Sequence, residues 1–198
     1  MTLADLPRML VSETDGWRDI DRMHPSVNRM LLAVAGPLSL LPPLMYLYAN
    51  MAHPGAVFPL LLPALGAGEA MLVGGLFFLI ELAMVFMMAD VIRQIAQGLE
   101  ARPDYAQCFA LAAIAPVPLW LTSVMLFVPS MAFNVLMAAV AWIGTVALIR
   151  HGVRTLLHVE DGEAARHIAN RVSFAGVAAW IGLMVVMTLI ISMVLGWR

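Results

Sequence analysis

The chain has 198 residues, 62% hydrophobic and 12% charged, with a mean hydropathy of +0.89 and a formal net charge of −2. Soluble domains carry roughly 25% charged residues, so this chain has too little polar surface to cover a globule in water, and its natural solvent is the lipid bilayer. The composition excludes a water-soluble domain, and there is no basic patch of the kind a nucleic acid needs.

All eleven basic residues are Arg, which points to a GC-rich bacterial genome. The single cysteine, Cys108, rules out an internal disulfide and argues against a thiolate metal site.

Residues 1–29 read as a charged tail. They lack the continuous apolar core of a cleaved leader and carry Asp5, Arg8, Glu13, Asp15, Arg18, Asp19, Asp21 and Arg22. Leu3, Leu6, Leu10 and Val11 fall at helical spacing, with Pro7 as an obstacle. A second short helix is expected after Ser12, with Asp15 three residues on and Trp17, Ile20 and Met23 on one side. An indole beside Arg18 and Arg22 suits a helix lying on the membrane surface, which makes Trp17 a candidate surface contact.

Residues 30–198 form an all-α transmembrane domain of five spans, each long enough for about 30 Å of hydrocarbon. The spans are expected at about 30–51, 70–91, 109–128, 131–149 and 174–197. The first contains Gly36-Pro37 and Pro42-Pro43, and the third contains Pro116 and Pro118. A proline removes an amide donor and crowds the preceding turn, so both spans should be kinked or split and should pack inside protein. Residues 53–68, with Pro54, Pro59 and Pro63, are too short and broken to cross, and read as a re-entrant or surface-lying loop. Pro129-Ser130 forces an antiparallel hairpin between the third and fourth spans. Residues 163–172 read as a short amphipathic helix leading into the fifth.

Arginine placement orients the bundle. The tail carries Arg8, Arg18, Arg22 and Arg29, the loop after the second span Arg93 and Arg102, and the loop after the fourth Arg150, Arg154, Arg166 and Arg171. The opposite side has only Arg198. By the positive-inside rule the N-terminus is cytoplasmic and the C-terminus outside, with an odd number of spans.

Several short motifs carry a family resemblance. They are Tyr105-Ala106, the run Pro118-Leu119-Trp120-Leu121, the turn at Pro129, then Trp142, Gly152 and Glu160-Asp161. Trp17 in GWRDID and the HPSVNRM entry to a Pro-containing first span extend the likeness over nearly the whole chain. In these features the chain resembles the bacterial branch of the Yip family, five-span proteins named for interaction with Ypt/Rab GTPases. The Asp-Leu-Tyr-Gly-Pro motif of eukaryotic members is absent, so Rab binding is not carried over. The tyrosines common in the family's fourth span are replaced, leaving Trp142 as its indole. The resemblance implies a multi-pass protein of the bacterial inner membrane.

Few residues are candidates for chemistry. Glu81 stands alone in the second span, and an ionisable group there is a functional candidate by default. It reads as a proton or cation site, as a contact to a basic group of a partner, or as a neutral acid bonded to a carbonyl freed by a proline. Asp90, at the end of that span, has Arg93 three residues on, which suits an interfacial ion pair. Pro116 and Pro118 join Glu81 as intramembrane candidates, and Arg150 and Arg154 join Trp17 as surface contacts. Met84, Met87 and Met88 follow Glu81, but Met is also a common packing residue, and no metal or cofactor is expected. The histidines form no HxxxH or HExxH pattern. The hydroxyls Ser39, Thr122, Ser123, Thr145, Thr188 and Ser192 have no base nearby in sequence and read as caps of broken turns or bonds between helices.

The functional expectation is a non-enzymatic membrane protein acting through a membrane-protein partner or as a homo-oligomer, in a scaffold, assembly or accessory role. The alternative is a small transporter or ion/proton permeation protein built on Glu81 and the broken first and third spans. The weakest reading is an intramembrane enzyme.

Overall fold

The computed structural model describes residue 9 and residues 16–55 and 65–196, and the regular structure among them is helical. Five helical segments are long and apolar enough to cross a membrane: Val27–Ala52, Ala67–Gln97, Tyr105–Phe127, Met131–Leu156 and Gly162–Gly196. These correspond to the five apolar runs of the sequence. Much of the Pro-rich loop expected at 53–68, and the first of the two tail helices, lie outside the described residues.

A short helix, α1 (Trp17–Met23), precedes the first crossing. That crossing is composite: α2 (Val27–Met30), a π-helical stretch Leu31–Ala35, α3 (Gly36–Ser39) and α4 (Leu41–Ala52). Ser26 caps it by accepting from the Arg29 amide. The irregularity has a local cause. Pro37 has no amide to continue the α-helical ladder, and the Gly36 amide reaches back five residues to the Leu31 carbonyl. A Cβ on Gly36 would stand 3.0 Å from that carbonyl oxygen, so glycine leaves the room the wide turn needs. Pro42 and Pro43 fall in the first turn of α4, where amides have no intrahelical acceptor in any case.

The second crossing is the unbroken α5 (Ala67–Gln97). The third is split as the prolines require: α6 (Tyr105–Ile114), α7 (Val117–Thr122), then a 3-10 turn Ser123–Phe127. Hydroxyls occupy carbonyls along the break. Thr122 Oγ1 donates to the Pro118 carbonyl at 2.7 Å and Ser123 Oγ to the Trp120 carbonyl at 2.6 Å. At the following turn, Asn134 Nδ2 donates to the Val128 carbonyl at 2.9 Å and the Ser130 carbonyl at 2.8 Å. That double bond locks the hairpin into α8 (Met131–Leu156).

The last crossing is one continuous helix, α9 (Gly162–Gly196), of 35 residues. The short helix expected at 163–172 and the fifth span are therefore a single rod of about 52 Å. Asp161 starts it, its two carboxylate oxygens accepting from the Glu163 and Ala164 amides.

α6 sits at the centre. Every residue from Cys108 to Ala115 is buried, and α5, α8 and the first crossing pack around it. Its alanines let the neighbouring backbones approach closely. The outward faces of α8 and α9 carry exposed Val135, Leu136, Ile143, Phe174, Ile181 and Leu189, as lipid-facing helices should.

Two buried clusters hold the bundle. One, around Trp17, Phe109, Leu111, Leu148, Leu156 and Ile168, lies at the end where α1 and the connectors 98–104 and 157–161 gather. The other joins α4, α5 and α9 through Tyr46, Val73, Phe77, Leu183 and Met187.

The first cluster corrects the expectation for Trp17. Its indole is fully buried rather than resting on a membrane surface. Gly152 of α8 provides the slot, the Trp17 Nε1–H donates to the Met9 carbonyl at 3.2 Å, and His151 Nδ1 lies 3.1 Å from the same carbonyl. The amphipathic stripe of α1 does bury its apolar side, but against protein.

Candidate functional site at Glu81

Glu81 lies in the middle of α5, nine residues and about 13 Å of helix rise from Asp90. It is 7% exposed. Trp120 of α7 stands beside it in the cavity wall, its indole N–H directed at the carboxyl. Carbonyls freed by the prolines therefore do not hold this acid. The local hydroxyls bond the carbonyls of Pro118 and Trp120, and after the break at 115–116 α7 packs on α8 with Trp120 in the cavity wall.

One carboxyl oxygen, Oε2, has no hydrogen-bond partner among the described residues. On α8, Thr145 is 4% exposed and its Oγ1 is likewise without a partner. A buried polar atom left unpaired costs about 1–3 kcal/mol, so two in one place call for an explanation. Both residues line a single cavity of about 190 Å³. Its walls come from α5 to α9, with Pro42 of α4 closing one side. It lies where the two buried clusters meet, since Phe77 and Leu183 of one and Val85 and Ile149 of the other share its lining. Trp142 and Trp180 stand edge to face in the same wall, ring centroids 6.0 Å apart.

The sequence candidates separate in space. Glu81 and Pro116 meet in the cavity, while the Pro118 carbonyl is taken by Thr122. Asp90 and Arg93 are both exposed and form no ion pair with each other among the described residues. The interfacial pair expected between them is therefore not made. Arg150 and Arg154 are exposed on the last turns of α8. His158, read as part of a solvated loop, meets Asp21 at 3.2 Å and Gln107 at 3.3 Å, tying α1 to α6.

Two members of the site were not among the sequence candidates. Trp120 stood in the Pro-Leu-Trp-Leu run without a partner to its name, 39 residues from Glu81. Thr145 was one hydroxyl among several, although its spacing four residues after Ala141 marked a helix-contact face.

Residues 8–196 match the Yip1 domain. The chain belongs to the Yip1 domain family. No curated protein and no solved structure shows significant similarity to it. In this Yip1 domain the tryptophan of the family-like run in the third crossing shares a cavity wall with the acid of the second. The glycine late in the fourth crossing is the slot for the tryptophan of the tail.

Proposed function

We propose that this Yip1-domain protein is a non-enzymatic integral membrane protein that works through other membrane proteins, as a scaffold, assembly factor or accessory subunit. The observation that carries this reading is the built end of the bundle. α1, the connectors and the first turns of α9 pack over the Trp17 cluster and present exposed side chains of both signs, among them Arg22, Glu100, Arg150, Glu163, Arg166 and Arg171. A rigid surface with interspersed charge suits specific, electrostatically matched contact with a protein. Arginine asymmetry supports a cytoplasmic setting for this end and an outside C-terminus. The resemblance to bacterial members supports an inner-membrane location.

The test is purification of the full chain from native membranes in mild detergent. A stoichiometric membrane-protein partner, lost in the Arg166→Glu/Arg171→Glu variant while membrane insertion is unchanged, supports the reading. Recovery of the chain alone, as a monomer, overturns it.

A second reading, proton or ion permeation, draws on Glu81 and Thr145 lying in one cavity beside two broken helices. A conducting path needs a succession of polar groups, whereas the lining here is mostly apolar, so binding is the better-supported role. Unchanged proton flux in vesicles after Glu81→Gln removes the permeation reading.

A further inference from the structure

The cavity at Glu81 is built to hold something. Two side chains from different helices, each more than nine-tenths buried, turn unpaired oxygen atoms toward it. Most of its wall is carbon, from Phe77, Val85, Trp142, Trp180 and Leu183 among others. Water alone leaves most of the space unfilled, because a buried water needs about 2–4 polar partners and the wall beyond Glu81 and Thr145 is largely apolar. Size gives a scale: an apolar cavity of about 150 Å³ accepts benzene, so about 190 Å³ takes a ring or a short length of alkyl chain.

The two polar side chains select the head of the ligand. Trp120 stands beside the carboxyl, whose Oε2 is open. Thr145 Oγ1 can both donate and accept. A hydroxyl also does both, so it can pair with the acid in either protonation form and with the threonine at once. A charged head would have to be stripped of water in an apolar chamber, which is far more costly.

We infer that the cavity between α5, α7, α8 and α9 binds the hydroxyl end of an uncharged, alkyl-chain alcohol, a lipid-derived amphiphile held by Glu81 and Thr145. The alkyl part lies along the aromatic wall of Trp142 and Trp180. Met184 belongs to this wall and is also exposed on the outside of α9, so the ligand arrives sideways from the bilayer. This inference does not rest on the partner reading and is tested on the isolated chain.

The three tryptophans in the wall, Trp120, Trp142 and Trp180, serve as reporters. The purified full chain in detergent is titrated with 6-bromo-1-hexanol, 1-bromohexane and 6-bromohexanoate, and indole quenching is followed. Saturable quenching by the bromo-alcohol, reversed by unlabelled 1-hexanol, is expected, with the other two probes giving only linear, non-saturating quenching. Thr145→Val, which keeps shape and removes the hydroxyl, should weaken the alcohol about five- to tenfold, and Glu81→Leu should do at least as much. If Glu81→Leu does not fold, Thr145→Val carries the test. Equal linear quenching by alcohol and bromoalkane overturns the inference, as does undiminished alcohol affinity in Thr145→Val. Saturable binding of the carboxylate in place of the alcohol overturns the assigned head group.

Discussion

Gly152→Ala tests whether the tail is part of the bundle's core. A Cβ built at this position lies 2.5 Å from Leu111 Cδ1 and 2.8 and 2.9 Å from two ring carbons of Trp17. Both neighbours are fully buried, and an indole ring bends at no joint, so the ring must shift as a whole. Overpacking of this kind costs about 1–3 kcal/mol. Alanine is worth about 1 kcal/mol more than glycine inside a helix, which offsets part of it. The net expectation is a loss of about 1 kcal/mol, or an apparent Tm lower by about 2–4 °C for a chain of this length. The same shift pulls the Trp17 Nε1–H off the Met9 carbonyl, so α1 should loosen. Trypsin should then cut after Arg18 and Arg22 faster than in the parent. Trp17→Ala alone should cost about 3–5 kcal/mol by leaving a cavity, and in that background Gly152→Ala should destabilise less, since the ring is gone and Leu111 can move into the space it leaves. A Gly152→Ala protein with parental Tm and parental proteolysis refutes the reasoning. So does a strictly additive double variant.

Other expectations are simpler to state. Trp120→Phe keeps an aromatic ring but removes the indole N–H beside Glu81 and some buried volume, and should cost about 1–3 kcal/mol in thermal stability, with a smaller loss if Glu81→Leu is already present. Asn134→Ala breaks two bonds that lock the turn before α8 and should cost about 1–2 kcal/mol, read as a Tm shift. Asp161 accepts two backbone amides at the start of α9, and these hold its carboxyl below the ordinary Asp value of 3.8. The cap therefore contributes fully above that value and is lost as pH falls through the lowered one, so amide exchange of residues 162–166 should rise in acid below about pH 4. Asp161→Asn should flatten that dependence. For orientation, Ser130→Cys should react with an impermeant maleimide from outside intact cells and Glu160→Cys only after lysis, and the reverse pattern inverts the topology.

The crossings were legible because lipid demands long apolar runs with every backbone group satisfied. The breaks were legible because Pro37, Pro116 and Pro118 each delete an amide. What the pattern of residues did not carry were choices made by tertiary packing. The stripe of Trp17 and Ile20 marks α1 as amphipathic, but an apolar side looks the same whether it meets lipid or protein. The clue was Gly152, a residue without a side chain among the larger Ile149, Arg150, Val153 and Arg154 of the last turns of α8. Asp90 and Arg93 have ion-pair spacing, yet both lie in solvent where such a pair is worth little. Glu81 stood out by its loneliness, whereas Trp120 became visible beside it only once the broken third crossing placed both in one cavity wall.

The unbroken course of α9 has a mechanical consequence. The helix joins the charged end, where Ala165 and Ile168 are buried in the Trp17 cluster, to the cavity wall at Gly176, Ala179 and Leu183, with no proline between. The first and third crossings have joints that absorb a push. α9 has none, so a tilt imposed on its outer turns acts as on a lever and changes the width of the chamber beside Glu81. Whatever grips one end of this rod also sets the fit at the other.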